Sequence, residues 1–424
     1  MRHRFSALLV LLALGGMLAC GESEPARKAP PATEAVQKPV QQDTPDELPN
    51  GLAFALSTFE TGAGGKPLPR SELMLLTRTG GQWRARSYSD PASNVFHKAF
   101  AFTPPGAEPA LVTLGGTAAA VKLWRKGADG LAPVETLWQA DFGGKFSRMR
   151  DGEVADLDGD GQSEIVVATH DQGVVAVLRV RSGASPEISE LDRKADTFVH
   201  EVEIGDLDAD GTPEVYATPS EPNRLDGSLQ HGEVVRFVPG KAGARTVVAD
   251  LAARHAKEIL VSDVDGDGRD ELYVSVEAAE GGSVEIRRFE ADTDPKAGRV
   301  VATLYDPMAR FLTPGDVDGD GMRELVVAAK DTGLWLLRPG ADSRAAWRSE
   351  LIDAKSKGFE HAALLTDLDG DGVSELYVAS DDDKEVRRYA WDGQRLAREV
   401  IHERADPLPV LTWNIAPVPL SLVE

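Results

Sequence analysis

Asp156-Leu157-Asp158-Gly159-Asp160-Gly161-Gln162-Ser163-Glu164-Ile165-Val166-Val167 decides how this chain is read. The pattern begins again at Asp206, Asp263, Asp316 and Asp367, as DLDADGTPEVYA, DVDGDGRDELYV, DVDGDGMRELVV and DLDGDGVSELYV. Three aspartates alternate, a glycine comes at position six, a glutamate stands at position nine, and an apolar run starts at once. Oxygen-only donors packed this densely suit a hard cation such as Ca²⁺, which takes six to eight oxygen ligands. The glycine permits the positive φ that folds such a loop back over an ion. The first candidate set is Asp156, Asp158, Asp160, the carbonyl of Gln162, and Glu164. The others are Asp206, Asp208, Asp210, Thr212 and Glu214; Asp263, Asp265, Asp267, Arg269 and Glu271; Asp316, Asp318, Asp320, Met322 and Glu324; and Asp367, Asp369, Asp371, Val373 and Glu375. About five Ca²⁺ ions are expected.

The first half of the loop matches an EF-hand, and the second half excludes one. An EF-hand places a bidentate Glu at position twelve between two helices. Here position twelve is Val167, Ala217, Val274, Val327 and Val378, and the run after the Glu is short and β-branched, as in a strand. A metal-free acidic turn is the weaker alternative. Four carboxylates within nine residues repel one another unless a cation offsets them, and the offset to the Glu is identical in five copies.

The copies start 50, 57, 53 and 51 residues apart. A period of that size marks a repeat fold with one supersecondary unit per repeat. At this point the D-x-D-G-D-G-x-x-E-hydrophobic loop resembles the FG-GAP/VCBS repeat of integrin-α-like β-propellers, and the resemblance runs from about Phe96 to Glu403. It implies a propeller with a Ca²⁺ loop between the first two strands of a blade. It implies little about partner or activity, because one fold hosts many functions.

Residues 1–19 read as a signal peptide: Arg2 and Arg4, then an apolar stretch from Ala7 to Leu18 too short to span a membrane as a mature helix. Met17-Leu18-Ala19-Cys20 resembles a lipobox, with Met17 where Leu is usual, so Cys20 is the expected lipidation site. It is also the single cysteine of the chain, which rules out an internal disulfide. Residues 20–50, rich in Pro and charge and without apolar periodicity, read as a disordered tether. The expected location is the bacterial cell envelope, outside the cytoplasm, on the outer membrane or cell surface.

From residue 51 to 424, short apolar runs are punctuated by Gly, Pro, Asp and Asn, an all-β pattern. The sixth unit reads as four strands, Phe311–Gly315, Glu324–Ala329, Gly333–Arg338 and Trp347–Ile352, with tight turns at Asp331–Gly333 and, in the last unit, Trp391–Gln394. One period upstream of Asp156, Ala110–Thr113, Ala120–Trp124 and Pro133–Trp138 repeat the strand order. There Phe102, Pro104 and Gly106 fall where the aspartates belong, so that unit has lost its metal. Earlier still, Leu52–Phe59 and Ser71–Ser87 read as strands two to four of a first unit. Its missing innermost strand is Val410–Ala416, at the other end of the chain. The reading is a seven-bladed β-propeller with calcium loops in five blades, closed by pairing of the N- and C-terminal strands.

The formal net charge of −23 comes largely from the loops and argues against nucleic acid as a partner. No G-x-S-x-G, H-E-x-x-H, P-loop or CxxC is present. Tryptophans such as Trp124, Trp335 and Trp391 sit at strand positions and read as packing between blades. One constellation lies outside the loops. Six residues before each first Asp stand Arg150, His200, Lys257, Arg310 and His361. Positions four and two before the loop, assigned to the same strand face, are mostly apolar: Val202, Ile204, Ile259, Val261, Leu312 and Leu365. The five basic residues are expected to gather at the channel mouth opposite the loops as an anion site, with His200 and His361 gaining charge as pH falls toward about 6.5. The bland alternative pairs each with a neighbouring acid such as Asp151, Glu201 or Glu360. The expected function is a lipid-anchored binding, adhesion or scaffold protein with a protein or glycan ligand. The alternative is a calcium-dependent hydrolase or lyase with a site on one propeller face.

Overall fold

The second strand of a blade is apolar on both faces: Ile165-Val-Val-Ala, Leu325-Val-Val-Ala and Leu376-Tyr-Val-Ala are buried throughout. Such a strand needs cover on both sides, which neighbouring sheets stacked face to face provide. The outermost strands, by contrast, are charged and exposed, as in Glu187–Arg193 (EISELDR) and Gln82–Tyr88 (QWRARSY). Charge on an edge strand discourages pairing with another chain.

In a computed structural model these sheets form seven four-stranded antiparallel blades. The described residues are 48–422 apart from 118, 129, 144–146, 171, 222–230, 242–244, 279–281 and 360. The signal peptide, Cys20, almost all of the tether, and Glu360 lie outside them. The innermost strands are Leu411–Pro419 in blade 1, Phe96–Phe102 in blade 2, Met149–Ala155 in blade 3 and Phe198–Gly205 in blade 4. In blades 5 to 7 they are Ala256–Ser262, Ala309–Gly315 and His361–Thr366. Blade 6 continues with Glu324–Ala329, Gly333–Arg338 and Arg348–Asp353, within two residues of the strands read from sequence. Gly333 (φ +106°) and Gly393 (φ +91°) occupy the two anticipated turns.

Closure is as expected. Leu411–Pro419 pairs antiparallel with Asn50–Thr61, Phe54 opposite Ile415 and Ser57 opposite Leu411. Seven apolar clusters fill the seven interfaces between blades, including Leu52, Phe54 and Met74 of blade 1 against Tyr377 and Ala379 of blade 7. Leu48, placed in the tether by sequence, is 1% exposed and belongs to that last cluster, so the blade reaches back past residue 51. Trp124 packs edge-to-face on Phe96 between blades 1 and 2.

The innermost strands carry a feature that sequence did not reveal. Six of the seven contain a β-bulge near their start, at Trp413, His97, Arg150, His200–Glu201, Lys257 and Phe311. A bulge re-aims the side chains around it. These strands are also sheet edges facing the axis, so amides pointing inward have no strand to bond. Side chains of the preceding blade accept them instead: Asn414 from Ala99 N–H (3.1 Å), Asp151 from Val202 (2.9 Å), Glu258 from Leu312 (2.9 Å) and Thr313 from Leu365 (2.8 Å). The blades are stitched around the channel by these bonds.

Candidate metal loops and the axial channel

Each acidic loop joins an innermost strand to the fully buried second strand, and the first aspartate organises it. Asp156 accepts the amides of Gly159 and Gly161, both at 2.8 Å, while Asp160 accepts Gln162 N–H. Asp263, Asp316 and Asp367 bond their glycines in the same way, and Asp206 accepts Gly211 N–H. The sixth-position glycines, among them Gly161 at φ +85° and Gly372 at φ +90°, hold the left-handed conformation anticipated for them. In four loops the three aspartates each bring an oxygen to within 4.8 Å of the others, joined by Glu271 in the third loop. In the first loop the converging set is Asp156, Asp158 and Glu164. This all-oxygen donor set fits Ca²⁺ better than a nitrogen- or sulfur-seeking metal.

The glutamates have a second partner. Glu164, Glu214, Glu271, Glu324 and Glu375 are all buried, and each meets an arginine from the third strand of its blade. The pairs are Arg179–Glu164 (3.0 Å), Arg236–Glu214 (3.0 Å), Arg288–Glu271 (2.9 Å), Arg338–Glu324, and Arg388–Glu375 (2.7 Å). Arg179, Arg236, Arg288 and Arg338 also reach the second aspartate of their loop. Leu157 and Val317 donate backbone N–H groups to Glu164 and Glu324. Burial pushes Glu271 and Glu324 up to about 7 against the opposing pull of these arginines. The arginine was absent from the sequence reading because hairpins of different length separate it from the Glu. Its signal is a recurring Arg at the end of strand three.

At the opposite end of the innermost strands, a cavity of about 390 Å³ lies on the axis, lined by residues of blades 1 to 7. Arg150, Lys257 and Arg310 face it, as the spacing predicted. His200 is close enough that Lys257, Arg150 and Arg310 act on its imidazole. His361 does not join them. It is 1% exposed, with Nε2 2.7 Å from Ser356 Oγ and Nδ1 3.2 Å from Ala329 O.

Neither histidine gains charge near pH 6.5, which corrects the expectation. Burial pushes His361 down to about 4; burial and the surrounding cations hold His200 well below its ordinary range. Because the unfolded chain protonates His361 near 6.5 and the folded state only near 4, the unfolded state binds more protons between those values. Stability from this group is therefore present above pH 6.5 and lost toward pH 4, by about 3 kcal/mol. In His361→Gln that part of the pH dependence disappears. Denaturant unfolding of wild type and variant then shows a stability gap that narrows by roughly that amount between pH 7 and pH 4; a pH-independent gap refutes it.

The bland pairing holds for Lys257, which meets the acid Glu277, but not for Arg150 with Asp151. Asp151 bonds Lys98 of blade 2 (2.8 Å), not Arg150. Arg150 lies 5.3 Å over the Trp413 ring and Arg310 4.2 Å over Phe359, while Lys257 stands 3.7 Å from Glu277. Inside the basic residues, Asp151, Glu153, Glu201, Glu203 and Glu258 line the cavity around Lys98. The sequence reading placed Val202 and Ile259 on the face of the basic residues, but these are packed between blades. The bulge inverts the alternation, and the odd positions turn to the axis. Burial and mutual repulsion raise Glu201 and Glu203 well above the usual carboxylate range, and burial pushes Glu258 to about 7. Burial alone would lower Lys98; Asp151, Glu153, Glu201 and Glu203 outweigh it and hold its pKa well up.

Residues 114–217 match the FG-GAP-like repeat. No curated protein matches the chain. Among solved structures it is similar to a "putative 6-phosphogluconolactonase" of Bacteroides fragilis, with a TM-score of 0.51 and 12% identity over 89% of this chain and 100% of the other. It is also similar to a functionally unknown protein of Desulfotomaculum acetoxidans, with a TM-score of 0.47 and 11% identity over 84% of this chain and 99% of the other. At such identities the likeness is one of fold alone.

Proposed function

Taking the protein as an FG-GAP-repeat β-propeller, we propose that it is a calcium-binding module, lipid-anchored at Cys20 in the bacterial cell envelope, that binds or scaffolds a protein or glycan partner. The observation that carries the calcium part is the convergence of carboxylate oxygens in all five loops. Four carboxylates and one arginine leave a loop with three net negative charges, and a divalent cation offsets two of them. The aspartates and the seventh-position carbonyl would hold the ion, with Glu164 and Glu271 within reach of it. The ion's role is to pin the turn between the first two strands and so stiffen one face of the ring. Metal analysis of the intact chain is expected to give about five Ca²⁺, and of Asp160→Ala about four; a metal-free wild type in millimolar Ca²⁺ overturns the reading.

The anchor rests on the single cysteine and the leader that precedes it. Cys20→Ser is expected to move the protein from the membrane to the soluble fraction, since lipid supplies the attachment. An unchanged membrane pool refutes the anchor. Among the described residues, no helix is long and apolar enough to cross a membrane.

A second reading, a hydrolase or lyase working in the channel, is favoured by one observation: Glu258, pushed up to about 7, shares the cavity with other carboxylates and Lys98. Against it, Glu258 and Asp151 each commit an oxygen to a backbone amide of the next blade. Glycan cleavage that vanishes in Glu258→Gln would favour the enzyme over the binding module.

A further inference from the structure

The cavity on the axis has two poles of opposite charge. At its mouth stand Arg150, Lys257 and Arg310, with Arg148 behind them, its guanidinium 2.8 Å from His170. Glu277 meets this group, 3.7 Å from Lys257. The imidazoles of His97, His170 and His200 are held neutral by burial and by these same cations, so they neither add charge nor remove it. Just inside lie Asp151, Glu153, Glu201, Glu203 and Glu258, with Lys98 the cation among them, bonded to Asp151 and Glu153. Each pole thus gathers several side chains of one sign in a half-buried setting, where like charges repel more strongly than in water.

The carboxylates differ in how far they are committed. Asp151 accepts the Val202 amide and Glu258 the Leu312 amide, and Glu153 is paired with Lys98. Glu201 shares a side-chain hydrogen bond with Asp151 of the preceding blade but accepts no backbone amide from the next one, and it faces the cavity with Glu203 from a single strand. Acidic and basic positions are one to three residues apart along the innermost strands, roughly 3–10 Å at the rise of an extended chain. The volume, about 390 Å³, lies within the range of small-ligand sites.

We propose that the axial cavity binds a small dipolar molecule, its anionic group (carboxylate, phosphate or sulfate) held by Arg150, Lys257 and Arg310 and its ammonium group by Glu201 and Glu203. A simple anion would relieve the mouth and leave the inner carboxylates in surplus. A simple cation approaching from this side would meet the arginines first. A ligand carrying both charges at this separation relieves both poles, and charge-assisted hydrogen bonds at each end fix its orientation. The aromatic faces of Trp413 and Phe359, beneath Arg150 and Arg310, hold those two guanidinium groups in place at the mouth. This inference adds a small-molecule ligand to the protein or glycan partner proposed above and depends on neither calcium nor the anchor.

The test uses three probes of one chain length on the intact protein: 6-aminohexanoate, hexanoate and hexylamine, monitored by calorimetry and by the fluorescence of Trp413. The dipolar probe is expected to bind at least about tenfold more tightly than either singly charged one. Glu201→Gln with Glu203→Gln should erase its advantage over hexanoate, and Arg150→Ala with Lys257→Ala and Arg310→Ala its advantage over hexylamine. The comparison on wild type requires no variant to fold, and thermal melts show which variants did. Hexanoate binding as tightly as 6-aminohexanoate would make the mouth a plain anion site and overturn the proposal. Equal binding of hexylamine, or no binding of any probe at about 10 mM, would overturn it too. With calcium content intact, those failures leave the calcium-binding reading standing.

Discussion

Deleting residues 408–424 is expected to abolish cooperative folding, whereas trimming residues 21–47 leaves the melting temperature unchanged. The deleted segment supplies the innermost strand of blade 1, and with it Val410, Ile415, Val418 and Leu422, all at most 7% exposed. At roughly 2 kcal/mol for each buried aliphatic side chain, their loss amounts to about 8 kcal/mol. A whole domain is stable by only about 5–15 kcal/mol. The deletion also opens the edge of Asn50–Thr61, whose partner strand is gone, and removes Asn414, which accepts Ala99 N–H of blade 2. An exposed apolar edge invites pairing with a second chain, so the truncated protein should aggregate. Two truncations with equal melting temperatures would show that the ring does not depend on this closure. The cut at 47 spares Leu48, which is part of the core between blades 1 and 7.

Chelation of calcium is expected to lower the melting temperature by roughly 17 °C. One site held 100-fold above its dissociation constant stabilises the folded state by about 2.7 kcal/mol, and five such sites by about 13.5 kcal/mol. Divided by an unfolding entropy of about 0.8 kcal/mol/K for some 370 residues, this gives the shift. Ca²⁺ should restore the original melting curve and Mg²⁺ should do so poorly, because Mg²⁺ demands a tight octahedral shell and keeps its waters. The third-strand arginines temper the effect. Arg288, 1% exposed, already bonds both Asp265 and Glu271, so the metal-free loop is partly neutralised rather than fully self-repelling. Melting that ignores the chelator would mean that the arginines suffice and the loops are acidic turns.

The fold was legible because its signals are local. A DxDxDG loop needs only nine consecutive residues, strand alternation and β-branching are read within six, and turns are marked by residues such as Gly333 and Gly393. Repetition of those signals at about 53 residues set the blade count. The incomplete first unit pointed to the strand at the far end, since a blade needs four strands and only three were left at the start of the chain. Even the blade without aspartates was recognisable from the strands around Phe102, Pro104 and Gly106.

The set of side chains facing the axis was decided by tertiary structure. One extra residue at Arg150 or Lys257 inverts every side chain beyond it. That brought Glu153, Glu203 and Glu258 into the channel and sent Val202 and Ile259 between blades, the reverse of uninterrupted alternation. A bulge of this kind is stabilised by an acceptor in the preceding blade, about fifty residues away, as Asp151 is for Val202. His361 obeys the same logic: its spacing matches that of Arg150, but Ser356 of the preceding loop and the carbonyl of Ala329 in blade 6 hold it between blades. The arginine on each buried loop glutamate was equally hidden, because hairpins of unequal length erase a fixed spacing while the sheet preserves the contact. Local chemistry is written in the order of the residues, whereas facing and partnership depend on contacts that exist only once the ring has closed.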